Sequence, residues 1–373
     1  MTHSKILRFS LLLLFSLVCS SVAFGQSGRV QATPTPTPDD AIRIETEEIK
    51  LNVLAFDVNG NFFRGVAAND IVITEDNILH PPASVRRIPA NVLIVMDTGG
   101  ELRSIKSLDR TRKVARALVN SLQSEDSVAI MQYSDRAELV DEWTTDRTVT
   151  NNAINNRSKF GRRSAFVDAV LLATDLLKKL PVDNRQLVLI TDGTDSLGKS
   201  SAKFDAFQAL LATDISVHVL SYSAMEGDAI EPRTKGISKS PPPKAMPDEI
   251  AQQLPNGARD VATAQKSMTI SLDRSLIKRM KQRKLELDIA GEDLEKLTQN
   301  TNGVFISPDT ADEMVSKAAL VAKMIDSAYV VTYSPKIPVT ETRGMAERKI
   351  DVTSKRSGLI VQARRKLLIV INR

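Results

Sequence analysis

Val92-Leu93-Ile94-Val95-Met96 is an uninterrupted apolar run that stops at Asp97. A strand that faces water on one side alternates apolar and polar residues. A run without alternation must be buried on both faces, as the central strands of a parallel sheet are. Such a sheet needs helices to cover it, and the chain on either side supplies them. A helical period runs from about Lys106 to Leu122. Another runs from Ala165 to Leu180, with Ala165, Ala169, Leu172, Ala173, Leu176 and Leu177 on one face. Ser127 to Tyr133, Gln186 to Thr191 and Ile215 to Tyr222 read as further strands, and Phe204 to Leu211 as a helix. Strands alternating with helices imply an α/β, Rossmann-like domain with a mostly parallel central sheet.

The flanks have a different rhythm. Ile49, Leu51, Val53 and Ala55 point one way along a strand, Asn59-Gly60 marks a hairpin turn, and Ile71-Val72-Ile73 leads into Glu75-Asp76-Asn77. Beyond residue 328, Tyr329 to Tyr333, Lys349 to Thr353, Leu359 to Ala363 and Leu367 to Ile371 are β-like. Neither set has enough strands for a stable sandwich. The two are expected to combine into one small β-sandwich-like module into which the α/β domain is inserted. The organisation read from the sequence is therefore an N-terminal β module at 41–88, the α/β domain at 89–327 and C-terminal strands at 328–373. Within the α/β domain, residues 225–288 hold six of the 16 prolines. They read as an insertion, Pro-rich and flexible in its first part, ending in a basic helix from Leu272 to Leu287.

The first 25 residues have the layout of a secretory signal peptide. Lys5 and Arg8 are followed by the apolar core Leu11 to Val18 and the small residues Ser20, Ser21 and Ala23. Cleavage is expected near residues 23–25, and the apolar run is too short to span a membrane. The Thr/Pro stretch at 26–40 reads as an extended linker. The protein is thus expected to be secreted, periplasmic or held in the cell envelope. Cleavage removes Cys19, the single cysteine. That excludes disulfides, thiolate zinc sites and a cysteine nucleophile from the exported chain. The formal charge of +5 on 373 residues gives no argument for nucleic acid.

Two strand ends carry aspartates. Asp97 opens Asp97-Thr98-Gly99-Gly100-Glu101, and Asp192 precedes Gly193. Between them, Gly161-Arg162-Arg163-Ser164-Ala165 opens the helix that carries Asp168. In an open α/β sheet, ligands bind at the carboxyl ends of the strands where the winding direction switches. The arrangement resembles the metal site of the von Willebrand factor type A (VWFA) domain, which uses Asp-x-Ser-x-Ser, a threonine and an aspartate on three loops. Other stretches resemble the VWFA-related acidobacterial domain family: Lys50 to Val53, Ile73 to Asn77, Leu93 to Asp97, Leu297 to Gly303 and Ala328 to Pro335. The resemblance implies an exported binding or adhesion-type module that recognises a protein partner and is not an enzyme. It also implies a metal set of Asp97, Glu101, Ser164 and Asp192, here degenerate because Gly99 and Glu101 replace both serines and Ser164 replaces the threonine. Oxygen ligands of this kind suit Mg2+ or Ca2+. The competing expectation is a relict site in which Glu101 pairs with Arg162 or Arg163.

Two rival readings need weighing. Gly193 to Ser200 fits the phosphate-loop pattern G-x-x-x-x-G-K-S, which points to a nucleotide hydrolase. Against it, Asp192 and Asp195 place negative charge where phosphates would sit. A structural envelope protein with an inert site is the other alternative. His80 lies beside prolines in a turn, and His218 alternates within a strand. Neither stands near a serine in a nucleophile-elbow setting. The basic run Lys278, Arg279, Lys281, Arg283, Lys284 reads as the solvated face of a helix.

Overall fold

The computed structural model describes residues 47–100, 105–198, 200–238, 269–270, 273–338 and 345–370. Four strands come first: β1 (Ile49–Phe56), β2 (Ile71–Glu75), β3 (Ile78–His80) and β4 (Ser84–Arg86). The α/β part follows as β5 (Asn91–Asp97), α1 (Leu108–Ser121), β6 (Ser127–Tyr133), β7 (Ala137–Thr144), α2 (Arg147–Asn156), α3 (Phe166–Lys178) and β8 (Arg185–Thr191). It continues with α4 (Ser200–Leu211), β9 (Ser216–Ser221), α5 (Ser223–Ile230), β10 (Ile237–Ser238), β11 (Thr269–Ile270), α6 (Arg274–Thr301), β12 (Phe305–Ile306) and α7 (Ala311–Asp326). The last strands are β13 (Ala328–Tyr333), β14 (Met345–Ser354), β15 (Ile360–Ala363) and β16 (Lys366–Val370).

The six-stranded sheet has the order β12-β9-β8-β5-β6-β7. All its pairings are parallel except that of the edge strand β7. Residues 92–96 of β5 are fully buried, as the unbroken apolar run requires. Alternate residues serve opposite faces. Val92, Ile94 and Met96 pack in one core with Val114 and Leu118 of α1 and Met314 and Val321 of α7. Leu93 and Val95 pack in the other core with Phe166 of α3, Leu210 of α4 and Leu294 of α6. The chain leaves β5 to form β6 on one side and returns to form β8 on the other. The winding direction therefore switches at β5, and the carboxyl ends of β5 and β8 open side by side.

The N- and C-terminal strands form two antiparallel sheets, ordered β15-β1-β13-β4 and β16-β14-β2-β3. β1 pairs with β13 from Ile49 opposite Tyr333 to Leu54 opposite Ala328. β2 pairs with β14 from Glu75 opposite Ile350 to Ile71 opposite Ser354. Leu51, Val53, Tyr329 and Val331 of one sheet share a core with Ile71, Ile73, Ile350 and Val352 of the other. The sheets thus pack face to face and draw strands from both ends of the chain. Asp76 and Asn77, both at positive φ, make the tight turn between β2 and β3. Polar side chains join this sandwich to the α/β part. Asn302 Nδ2 donates to the carbonyls of Asn52 at 2.9 Å and Gln362 at 3.1 Å. Arg364 donates to the carbonyl of Thr213 at 2.6 Å.

The stretch read as an irregular insertion is more ordered at its ends than expected. Residues 223–230 form α5, and α6 runs unbroken for 28 residues, past the expected end of the basic helix at Leu287 to Thr301. Gly291 sits mid-helix, where a Cβ would lie 2.8 Å from Ser223 Oγ. It is there for a close helix–helix approach. The proline-rich centre of the insertion, expected to be flexible, lies outside the described residues.

His218 is buried in β9. Its Nε2 lies 2.9 Å from Gln186 Oε1, and its Nδ1 accepts from Val304 N–H at 3.3 Å. Those partners suit a neutral ring protonated on Nε2. Burial pushes its pKa down to about 4. The unfolded chain, with a histidine pKa of about 6.5, binds the proton first as pH falls. Stability is therefore present above pH 6.5 and lost between about 6.5 and 4, at a total cost of about 3 kcal/mol. Urea unfolding across that range should show the decline, and a His218→Gln variant should show correspondingly less of it.

Candidate functional site

Asp97 closes β5 and Asp192 follows directly on β8, so the two carboxylates stand at adjacent strand ends at the switch point. Both are completely buried. The ammonium of Lys106 lies between them. Its Nζ is 2.6 Å from Asp97 Oδ2 and 2.8 Å from Asp192 Oδ2, and the side chain is only 1% exposed. Arg283, on the inner side of α6, reaches the same Asp192 Oδ2 at 3.3 Å. Two carboxylates and two cations make the buried cluster neutral.

Local structure sets each member. Lys106 immediately precedes Ser107, whose hydroxyl caps α1 by accepting from Arg110 N–H. The backbone amides of Ile105 and Lys106 donate to Oε1 of the buried Glu226 on α5, at 2.8 and 2.5 Å. The far oxygens of the two aspartates are used locally. Asp97 Oδ1 accepts from Gly99 N–H at 3.1 Å, and Asp192 Oδ1 accepts from the amide and hydroxyl of Thr194 at 3.0 and 2.6 Å. Behind them, the buried Tyr133 hydroxyl sits 2.5 Å from Thr191 Oγ1. Burial and the two aspartate charges hold Tyr133 well above the ordinary phenol range.

The electrostatics follow from this geometry. Burial works against the Asp192 carboxylate, but Lys106 and Arg283 more than offset it, and its pKa falls below the usual aspartate value. Burial also works against the Lys106 ammonium, and the two carboxylates more than offset that, so its pKa rises. Asp97 has only the shared lysine. Burial, aided by the charge of Asp192, leaves its pKa raised.

The four residues named as metal ligands are thus placed unequally. Asp97 and Asp192 converge as expected. Ser164 Oγ donates to the carbonyl of Thr194 at 2.8 Å. Glu101 lies outside the described residues. Gly99 stands where the VWFA pattern has its first serine, and a Cβ there would lie 1.9 Å from the Arg163 carbonyl oxygen. Among the described residues, no three His, Cys, Asp or Glu side chains are gathered to hold a metal ion. The described members of the donor set do not fit a divalent cation, because a lysine ammonium already stands between the two carboxylates. Lys106 and Arg283 are the members that sequence reasoning missed.

The phosphate-loop match meets a direct obstacle. A phosphate loop binds through free backbone amides. Here Asp195 Oδ1 accepts from the amides of Leu197, at 2.7 Å, and Gly198. Its Oδ2 accepts from Val167 N–H at the start of α3, at 2.7 Å. The amides of Gly193, Thr194 and Ser196 go to Thr191 Oγ1, Asp192 Oδ1 and the Ser164 carbonyl. The aspartate of the motif occupies the place a phosphate would take.

Residues 92–194 match the family model of the von Willebrand factor type A domain, and the α/β part has that fold. Similar solved structures include an aerotolerance-related membrane protein from Bacteroides fragilis, 17% identical, with 64% of this chain and 98% of that chain covered at a TM-score of 0.38. The conserved hypothetical protein BatB from Bacteroides thetaiotaomicron is 15% identical, with 63% and 98% covered at a TM-score of 0.37. A von Willebrand factor type A protein from Catenulispora acidiphila is 10% identical, with 87% and 74% covered at a TM-score of 0.40. A comparison with curated proteins finds no match.

Proposed function

We propose that this chain, with a von Willebrand factor type A domain over residues 92–194, is an exported module that binds a protein partner. The observation that carries the reading is a groove of about 470 Å³ beside the strand ends, between α4 and α6. Its floor includes Gly193, Thr194 and Ala290, and its walls carry Phe204 and Ile289. Those two side chains are 63% and 50% exposed. The Lys203–Asp293 ion pair, at 2.9 Å, adds charge within the groove. Exposed apolar side chains beside a concavity with polar edges suit a protein surface better than a small polar substrate.

Export rests on the charged start and apolar core of the first 25 residues. Mass spectrometry of the native protein should find its N-terminus at Phe24 or Gln26, and recovery of intact Met1 in the cytosol would rule export out. The binding face is tested by photo-crosslinking in envelope fractions. A photoreactive residue at position 204 or 289 should give an adduct with one and the same protein. The same residue at Leu171, 44% exposed on α3, should not. Equal labelling from all three positions would contradict the assignment of this face.

A further inference from the structure

We propose that Lys106 is the resident cation of the strand-end site. Its ammonium takes the place of a divalent ion, and the centre is metal-independent. This does not rest on the identity of any partner.

Three observations converge. The first is position: one nitrogen lies 2.6 and 2.8 Å from oxygens of Asp97 and Asp192, at the switch point where the fold opens a site. The second is charge. With Arg283 on Asp192, the buried cluster is neutral, so an added divalent ion would bring two uncompensated charges into a buried place. The third is the fate of the remaining ligand positions. Gly99 cannot carry a side chain without striking the Arg163 carbonyl, and the Ser164 hydroxyl, which donates to the Thr194 carbonyl, adds no charge. The lysine is also held in place from behind, because Glu226 accepts from its backbone amide and from that of Ile105.

The arrangement has a functional consequence. With Lys106 only 1% exposed, the charge at the centre cannot be shared with a carboxylate on an incoming partner. Recognition that runs through a bridging ion is closed to this site. The cluster instead ties Lys106, just before α1, to the ends of β5 and β8, and β8 to α6.

The test uses the full exported chain, purified in EDTA and returned to 5 mM Mg2+, Ca2+ or Mn2+. The wild type should keep its melting temperature within about 1 °C in every case. Mn2+ titrated into it should stay free by electron paramagnetic resonance. Lys106→Ala leaves two buried carboxylates with room between them. Its melting temperature should start lower in EDTA and rise by about 5 °C or more with a divalent ion. Tight binding of one Mn2+ by the wild type would overturn the proposal, and this reading needs no variant to fold. A folded Lys106→Ala protein that stays indifferent to all three ions would also overturn it, since the lysine would then hold an ordinary ion pair and no cation position.

Discussion

Lys106→Met should destabilise the protein by about 3–5 kcal/mol at pH 7, the usual cost of stranding buried charges by removing their partner. Methionine fills the volume of the lysine stem, so the loss reports charge and not a cavity. Both aspartates are completely buried, and Arg283, at 3.3 Å, would be the cation left beside Asp192. Urea unfolding should show the loss as a lower midpoint with unchanged slope. The pH dependence provides an internal check. Asp192, held below its ordinary range, contributes stability that is present above about pH 4 and fades as pH falls further. Lys106, held above its ordinary range, contributes stability that is full below about pH 10.5 and fades as pH rises beyond it. Asp97 is the first of the two carboxylates to take a proton on acidification, because its pKa is raised. The deficit of Lys106→Met should therefore be largest near neutrality and shrink toward pH 4. Asp192→Asn should cost more than Asp97→Asn, since Asp192 faces two cations and Asp97 one.

Gly99→Ser, the change that restores the first serine of the VWFA pattern, should lower stability by more than about 4 kcal/mol and should not create a metal site. The added Cβ would meet the Arg163 carbonyl oxygen at 1.9 Å and the Ser134 Cα at 2.8 Å. Both are backbone atoms, so no rotamer change relieves the contact. Three loops cross here: Thr98 N–H donates to the Tyr133 carbonyl, and Gly161 N–H to the Thr98 carbonyl. Moving Gly99 would break those bonds as well. Circular dichroism of the purified variant, followed by urea unfolding, measures the effect.

The legible parts of the structure were those whose burial leaves a mark on residue order. The run from Val92 to Met96 could only be a strand covered on both faces. Asp97 and Asp192 stood out because a charge directly after such a strand must lie at its end. That the two flanking sets of strands lie together followed from the shortage of strands in either one. What was hidden depended on distance along the chain. Lys106 opens a helical period, where lysine reads as a solvated residue, and nothing in the pattern announces its contacts with Asp97 and Asp192. Arg283 lies 91 positions from Asp192 and reads as one of five cations on an exposed face. Lys278, Arg279 and Lys281 are indeed exposed, and the helical turn alone directs Arg283 toward the core side. The phosphate-loop letters misled for the opposite reason. They specify residue types, and the outcome turned on where the Asp195 carboxylate points. The sequence pattern ends the basic helix at Leu287, whereas α6 runs on to Thr301. Gly291 lies within it and makes room for Ser223.

The central claim, that an amine and not a metal ion bridges Asp97 and Asp192, is tested most directly by diffraction. Crystals of the protein grown with Mn2+ and measured at the manganese absorption edge would locate any ion at the strand ends. The expected map shows Lys106 Nζ between the two carboxylates and no anomalous peak there. A manganese peak between Asp97 and Asp192, with Lys106 turned away, would contradict it.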